Sequence, residues 1–554
     1  MRLFIAPIYA LVLAVVVTAP LFAPGYLLMR DAVSTPRSYL SDAALGLSEA
    51  APRALPQDFV VHWLSTVMDG GLAVKLLLVT GLFLAGWGAA RLSAAVLPEA
   101  EVAGQTVAVT ITIWNPYVAE RLLQGHWSLV VGYGCLPWVA TAMLRLRRPH
   151  PGWAGLGGLI FWIVLAGLTP TGLMLAATVA LVCVFTPGEG WSRWQCAMAA
   201  LGTAVVAAMP WLTAAAVAQT LSSTQAEGVP AFAARAEPGL GTLGSLASLG
   251  GIWNADAVPD SRTTLFAVIA AAVLLAVVAL GLPTAVRRPM AVPLLCLAAA
   301  AVVAPALMAT GPGLAALEAT VRTLPGLGVL RDAQKWVALA VPGYGLAAAA
   351  AVVTLQRRMP AMATALICCA ALLATLPDLA WGVGGKMTAV QYPPGWPTAA
   401  AMINADPRPV AVLPVDSMRQ FEWAGDAPVL DPLPRWVQAD VLTTGDLTVG
   451  GRTVPGEGQR ARDVQQMLLD GADQDELADA GIGWVVDQSA GESTPLALPV
   501  AYRDDQLTVY RVGGDHPRAS GRGIVLAAHW AWLVALTVGL AATTVSAWRR
   551  HPRT

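Results

Sequence analysis

About twelve windows of roughly twenty apolar residues recur along the 554-residue chain, near 4–22, 72–92, 104–119, 128–146, 154–168, 172–186, 197–218, 264–283, 291–309, 336–355, 361–380 and 525–546. A helix needs about that many apolar residues to cross the roughly 30 Å hydrocarbon layer of a bilayer. Asp, Glu, Lys and Arg together make up only 12% of the chain, about half the roughly 25% of an ordinary soluble domain. That is too little charge to clothe a water-facing surface, which excludes a soluble enzyme, a fibrous protein and a disordered chain. The expected fold class is an α-helical multi-pass membrane protein of about twelve transmembrane helices with a C-terminal extracytoplasmic α/β domain.

The formal net charge of −1 hides an asymmetry. Residues 381–520 carry 19 acidic and 10 basic side chains, against 16 acidic and 24 basic elsewhere. Three regions follow: a polytopic membrane domain at 1–380 with large outer loops at 23–71, 219–263 and 310–335, an acidic extracytoplasmic domain at 381–520, and a last span with a cytoplasmic tail at 521–554. After Met1-Arg2 the first window stays apolar to about Ala23 with no A-x-A cleavage pattern, so it is read as a span and not a signal peptide.

If the first helix starts inside, the inner gaps collect Arg91, Arg145, Arg147, Arg148, Arg193, Arg287, Arg288, Arg357, Arg358 and the tail Arg549, Arg550 and Arg553. This is the pattern of the positive-inside rule, with both termini cytoplasmic in a bacterial plasma membrane. The weakest windows are the third, interrupted by Trp114-Asn115-Pro116, and the short fifth and sixth, which share Thr169-Pro170-Thr171 as a turn. All three are needed to keep the later basic clusters inside.

The acidic domain shows strand-like runs at Val410–Pro414, Gly483–Asp487 and Leu507–Arg511 and a helical stretch near 461–480, as expected for a small α/β module. All six cysteines lie in or beside apolar runs, so no disulfide framework or CxxC metal site is expected in that domain. No P-loop, GxSxG, HExxH or dinucleotide fingerprint occurs, and nucleic acid is not an expected partner. The glycines of Gly155-Leu-Gly-Gly158 are read as close helix packing.

Three clusters on the outer side carry candidate chemistry. The first is Arg30-Asp31 with Arg37 and, farther on, Asp42, where the first helix leaves the membrane. A carboxylate at that boundary is partly desolvated, which is expected to raise its basicity, and it can reach both a lipid-borne headgroup and a water-borne acceptor. An ion pair of Asp31 with Arg30 or Arg37 is the structural alternative. The second cluster holds Glu120, Arg121 and His126 between two windows, where charges are costly unless paired or contacting substrate. The third is Arg331-Asp332-Ala-Gln-Lys335, with one of only three lysines in the chain placed at the outer boundary, suited to a phosphate. Snorkelling and a local Arg331–Asp332 pair are the alternative there.

The layout of inside N-terminus, large first outer loop with Arg30-Asp31 just after the first helix, many spans and an extracytoplasmic α/β domain resembles the GT-C class of polytopic glycosyltransferases. The runs Trp114-Asn-Pro-Tyr-Val-Ala-Glu-Arg-Leu-Leu-Gln-Gly-His-Trp127 and Leu330-Arg-Asp-Ala-Gln-Lys-Trp336 resemble segments of actinobacterial arabinofuranosyl- and mannosyltransferases. The resemblance implies transfer of arabinofuranose or mannose from a polyprenyl-phosphate sugar donor to an extracytoplasmic cell-envelope glycan or glycolipid acceptor, among membrane lipids. It implies Asp31 as the base, with Arg331 and Lys335, or Arg121, holding the departing phosphate. The first loop has a single acid where many members show Asp-Asp or Glu-Asp, so no metal ligands are assigned and a divalent cation stays open, as does Glu120 as the base. A transporter or flippase and a non-catalytic polymer-binding scaffold are the competing classes. Against the former stand the absence of matched halves and the scarcity of charge within the windows.

Overall fold

The computed structural model describes residues 2–49, 54–218, 228–324, 327–414, 417–449, 452–489 and 496–548. The tail arginines Arg549, Arg550 and Arg553, and the loop residues 50–53, 219–227 and 325–326, lie outside the described residues. The membrane half runs through α1 (Arg2–Thr18), a hairpin of β1 (Tyr26–Met29) and β2 (Ala32–Val33), α2 (Gln57–Leu64), α3 (Gly70–Val96), α4 (Glu101–Ile113), α5 (Pro116–Leu123) and α6 (Trp127–Leu146). It continues with α7 (Trp153–Ala166), α8 (Pro170–Cys183), α9 (Arg193–Ala218), α10 (Gly241–Ala247), α11 (Phe266–Ala285), α12 (Val292–Met308), α13 (Gly311–Thr323), α14 (Val341–Leu355) and α15 (Ala361–Ala374).

The count of twelve spans is not reached. Among the described residues, seven helical stretches are long and apolar enough to cross a bilayer: Phe4–Phe22, α3, α6, α9, α11, Ala333–Leu355 and Arg522–Thr544. Counting α12 with α13, bent by 92°, and α15 with Pro377–Gly384, bent by 74°, gives nine. The shortfall falls on the three weakest windows. Helices α7 and α8 have 14 residues each and α4 has 13, which is only about 20 Å of helix. The third window divides because Asn115 ends one helix and starts the next. Its amide donates to the Ile111 and Thr112 carbonyls at 2.9 and 3.0 Å, and its side-chain oxygen accepts from the Val118 N–H at 3.1 Å, with Pro116 in the first position of α5.

Close packing in the bundle uses small residues. A Cβ on Gly157 would stand 2.5 Å from the Ala542 Cβ and 3.2 Å from the Gly539 carbonyl, so α7 and the last helix meet backbone to backbone.

The C-terminal half contains β3 (Ala389–Val390), α16 (Gly395–Ala405), β4 (Val410–Leu413), α17 (Gln459–Leu469), α18 (Gln474–Asp479), β5 (Trp484–Asp487), β6 (Val500–Arg503) and β7 (Thr508–Arg511), then α19 (Arg522–Trp548). The sheet order is β6-β7-β5-β4, with β4 parallel to β5 and the other pairs antiparallel. Alternation along the strands feeds two cores. Val410, Val412, Trp484 and Val486 pack with Trp396 and Ile403 of α16 on one face, and Ala411, Val485 and Tyr510 pack with Val464 and Leu468 of α17 on the other. The single helix expected near 461–480 is two, separated where Gly471 takes φ +80°.

The first outer loop is not a free polar loop. Strand β3, from the chain leading into the acidic domain, pairs antiparallel with β1, setting Tyr26 opposite Val390 and Leu27 opposite Ala389. Residues 428–430 of the acidic domain grip the tip of the same hairpin: the Arg30 N–H donates to the Pro428 carbonyl at 2.8 Å and the Leu430 N–H donates to the Arg30 carbonyl at 2.9 Å. Leu28, Val33 and Val429 close a small apolar cluster behind that junction.

Candidate active site

Asp31 stands in the two-residue turn between β1 and β2, where Met29 pairs with Ala32. Arg30 takes φ +46° to make the turn, a conformation that costs an L-residue about 1–2 kcal/mol. Its guanidinium donates to the carbonyls of Leu123 at 2.6 Å and Asp256 at 2.7 Å. The turn is thereby bound to the end of α5, and the Asp31 N–H completes the junction by donating to the Gln124 carbonyl at 3.2 Å. Gly125 makes this approach feasible, because with φ +82° a Cβ there would lie 2.3 Å from both the Ala32 nitrogen and the Met29 oxygen.

The Asp31 carboxylate receives two hydrogen bonds on one oxygen, from His126 Nε2 at 2.9 Å and from the Gln124 amide at 3.1 Å. Its Oδ1 has no partner among the described residues, and 37% of the side chain is exposed. The tautomer of His126 follows from its other nitrogen. Arg121 can only donate, and its guanidinium lies 3.2 Å from Nδ1, so Nδ1 accepts and Nε2 carries the proton that Asp31 receives. Burial pushes the His126 ring below its ordinary value, and the positive Lys335 and Arg121 oppose a second proton, although Asp31 pulls the other way. For Asp31, burial would push the carboxyl up, but its hydrogen bond and electrostatic pull from His126, the Gln124 amide and the Lys335 ammonium outweigh it and hold the group below the ordinary carboxylate value. The rise in basicity expected at the membrane boundary is therefore reversed.

Behind this pair lies a fully buried ionic layer. Arg121 binds Asp332 in a fork, at 2.9 and 3.2 Å, and also donates to Gln334. The Lys335 ammonium lies 3.5 Å from the same Asp332 carboxylate and is partly exposed. Burial disfavours the charged form of Asp332, yet the adjacent Arg121 and Lys335 hold it well below the ordinary range. Glu120 joins this layer through Gln334. Its oxygens accept from the N–H groups of Gly251 at 3.0 Å and Ile252 at 3.3 Å and from the Gln334 amide at 2.8 Å. Burial, reinforced by Glu237, pushes Glu120 well above the ordinary value, and Arg121 and Arg262 offset only part of it.

The structure thus gathers Asp31, His126, Arg121, Asp332 and Lys335 into one contiguous chain of contacts. Arg30 is adjacent but spent on two carbonyls. Arg37 sits elsewhere, on the His62 carbonyl at 2.5 Å and the Ser65 hydroxyl at 2.6 Å. Asp42 is paired with Arg522 at the start of α19 and accepts from the Ala519 N–H at 2.6 Å. Arg331 lies over the Phe232 ring, 4.7 Å from its centroid. The ion pair of Asp31 with Arg30 or Arg37 is not formed, since its partner is His126, and Asp332 is engaged by Arg121 and Lys335. Gln124, Gln334 and the Glu237–Arg262 pair escaped the sequence reading. Among the described residues no three His, Cys, Asp or Glu side chains converge in the manner of a metal site.

No protein-family model and no curated protein sequence matches the chain. Among solved structures it is similar to the arabinofuranosyltransferase AftD from Mycobacteria, with a TM-score of 0.52 and 15% identity, over 92% of this chain and 41% of that one. The chain spans less than half the length of that protein. The likeness establishes architecture, and the chain carries a GT-C-like membrane fold over nearly its whole length.

Proposed function

We propose that the chain is a glycosyltransferase that moves arabinofuranose or mannose from a polyprenyl-phosphate donor to a cell-envelope glycan or glycolipid, on the outer face of a bacterial plasma membrane. The observation that carries this reading is the single ionised carboxylate at the hairpin tip, with one oxygen bound by His126 and Gln124 and the other unoccupied, beside the partly exposed Lys335. Oδ1 of Asp31 accepts the proton of the acceptor hydroxyl as it attacks the anomeric carbon. Lys335 neutralises the phosphate that departs with the lipid. His126 and Gln124 are positioning residues: they fix which oxygen faces the acceptor.

Asp31 is a weak base by this account, and the chemistry tolerates it. The glycosyl transition state is oxocarbenium-like, with bond breaking to the phosphate well advanced, so the acceptor proton has to be taken late, when the hydroxyl has become acidic. The Arg121–Asp332 pair stays buried and is the scaffold that holds Lys335 and His126 in place.

The test is transfer by the purified full chain from radiolabelled polyprenyl-phosphate arabinofuranose and polyprenyl-phosphate mannose to envelope glycan acceptors. Label in a glycosidic product with one donor supports the reading. A folded protein that binds either donor but transfers from neither overturns it in favour of a binding scaffold.

A further inference from the structure

At the end of the bundle opposite Asp31, α3 and α6 enclose a cavity of about 270 Å³ lined by Arg91, Arg145 and Arg148 together with Thr141, Leu144 and two alanines. Asp31 packs against the segment just before the N-terminus of α6, and this cavity adjoins the C-termini of α3 and α6. The 20 residues of α6 therefore separate the two sites by about 30 Å, a bilayer's hydrocarbon thickness.

Three guanidiniums around one small cavity repel each other, and among the described residues no carboxylate lines it. Glu99 is taken by Arg288, and among the described residues the Arg148 guanidinium donates to the Ala95 carbonyl alone, at 3.2 Å. Arg147, between two of these arginines in sequence, shows what a structural arginine looks like here. It is buried and donates to the carbonyls of Thr186, at 3.1 Å, and Trp191. Arg91 and Arg148 are instead exposed at the cavity. The cavity is wide enough for several waters at about 30 Å³ each, hence for a tetrahedral anion, and guanidiniums bind phosphate oxygens in bidentate fashion.

We propose that this cavity is a phosphate site, filled by the headgroup of an anionic phospholipid in the leaflet opposite the active site. The same chemistry would accept a soluble phosphate, and the experiment separates the two sources. Purified full-length chain in neutral detergent is titrated with phosphatidylglycerol, phosphatidylcholine or inorganic phosphate, and bound ligand is counted by native mass spectrometry.

Phosphatidylglycerol should bind in preference to phosphatidylcholine, and Arg91→Gln with Arg148→Gln should weaken it by about tenfold or more, the range expected for charged hydrogen bonds. Arg357→Gln with Arg358→Gln removes as much charge from other interhelical residues and should change it by less than about twofold. Should the Gln pair fail to fold, Arg91→Lys with Arg148→Lys keeps the charge, loses the fork and should bind with intermediate affinity. Inorganic phosphate that binds with the same sensitivity, and as tightly as the lipid, keeps the site and assigns it to a soluble ligand. Equal weakening by both Gln pairs, or no preference for phosphatidylglycerol, overturns the proposal.

Discussion

Replacing Asp31 with Asn tests the base assignment more cleanly than sequence position alone would allow. Both hydrogen bonds to the wild-type carboxylate fall on Oδ2, from His126 and Gln124. An Asn side chain can present its single oxygen to those two donors and its amide nitrogen in place of Oδ1, so shape and both contacts survive while proton affinity is lost. A positioned base contributes about 10²–10⁴ in rate, or roughly 2.7–5.5 kcal/mol of barrier. Turnover should fall by that factor. Donor affinity should hold or improve slightly, because a negative charge near the lipid phosphate has been removed and Lys335 keeps Asp332 as its partner. The assay is single-turnover sugar transfer alongside donor binding by the same preparation. Turnover within about threefold of wild type would refute the assignment. Glu120→Gln is the matched control. Glu120 is fully buried and accepts three hydrogen bonds, so Gln sets an amide against an N–H, costing about 1–3 kcal/mol in stability. A folded, inactive Glu120→Gln beside an active Asp31→Asn would move the base to Glu120.

Four further outcomes are expected. Asp31 and His126 both titrate below their ordinary values of about 3.9 and 6.5, so at neutral pH the carboxylate is ionised and the ring neutral. Turnover should therefore be flat from about pH 6.5 to 8 and fall only on acidification below that window, and an inflection at or above pH 7 would contradict the assignment. Lys335→Met keeps the apolar stem and leaves the Arg121–Asp332 fork, so donor affinity should drop by roughly 1.5–3 kcal/mol with folding intact; unchanged affinity with impaired folding would make Lys335 a structural residue. Leu430→Pro deletes the N–H that donates to the Arg30 carbonyl and should slow transfer about tenfold, whereas Asp473→Asn, Asp475→Asn, Glu476→Gln and Asp479→Asn together, on an exposed helix face, should leave it nearly intact. With Cys296 replaced, a cysteine at position 475 should be labelled from outside in intact cells and one at 288 protected; the reverse would invert the topology.

The long apolar helices were legible because periodicity plays no part in them: length and composition suffice, and α3, α6, α9 and α11 fall within a few residues of the windows. The third window was not, although its signal was present, since Asn-Pro is a cap followed by a first-turn proline. The candidate site was legible where a charged side chain stands in a surprising place, as with Asp31, Arg121, His126 and Lys335, which the structure brings together. It was illegible where proximity in sequence stood in for proximity in space. Arg37 and Asp42 gained weight from Asp31, yet Asp42 pairs with Arg522, 480 residues away. Gln124 and Gln334 were passed over because an uncharged amide announces nothing until its partner is known. The sign of the Asp31 shift failed for the same reason: its donors come from 93 and 95 residues along the chain.

The acidic domain is more than a solvent-facing module, because it binds the hairpin that carries Asp31. Strands of two and four residues are too short to hold a turn by themselves, and Arg30 adds the cost of its left-handed backbone. Three anchors converge on that turn from separate parts of the chain: the α5 end through Leu123 and Gln124, the 254–257 loop through Asp256, and the acidic domain through β3 and residues 428–430. Removing any one would loosen the turn that carries Asp31. The domain thus supplies the back wall against which the Asp31 turn is set, while its acidic residues Asp473, Asp475, Glu476 and Asp479 face outward.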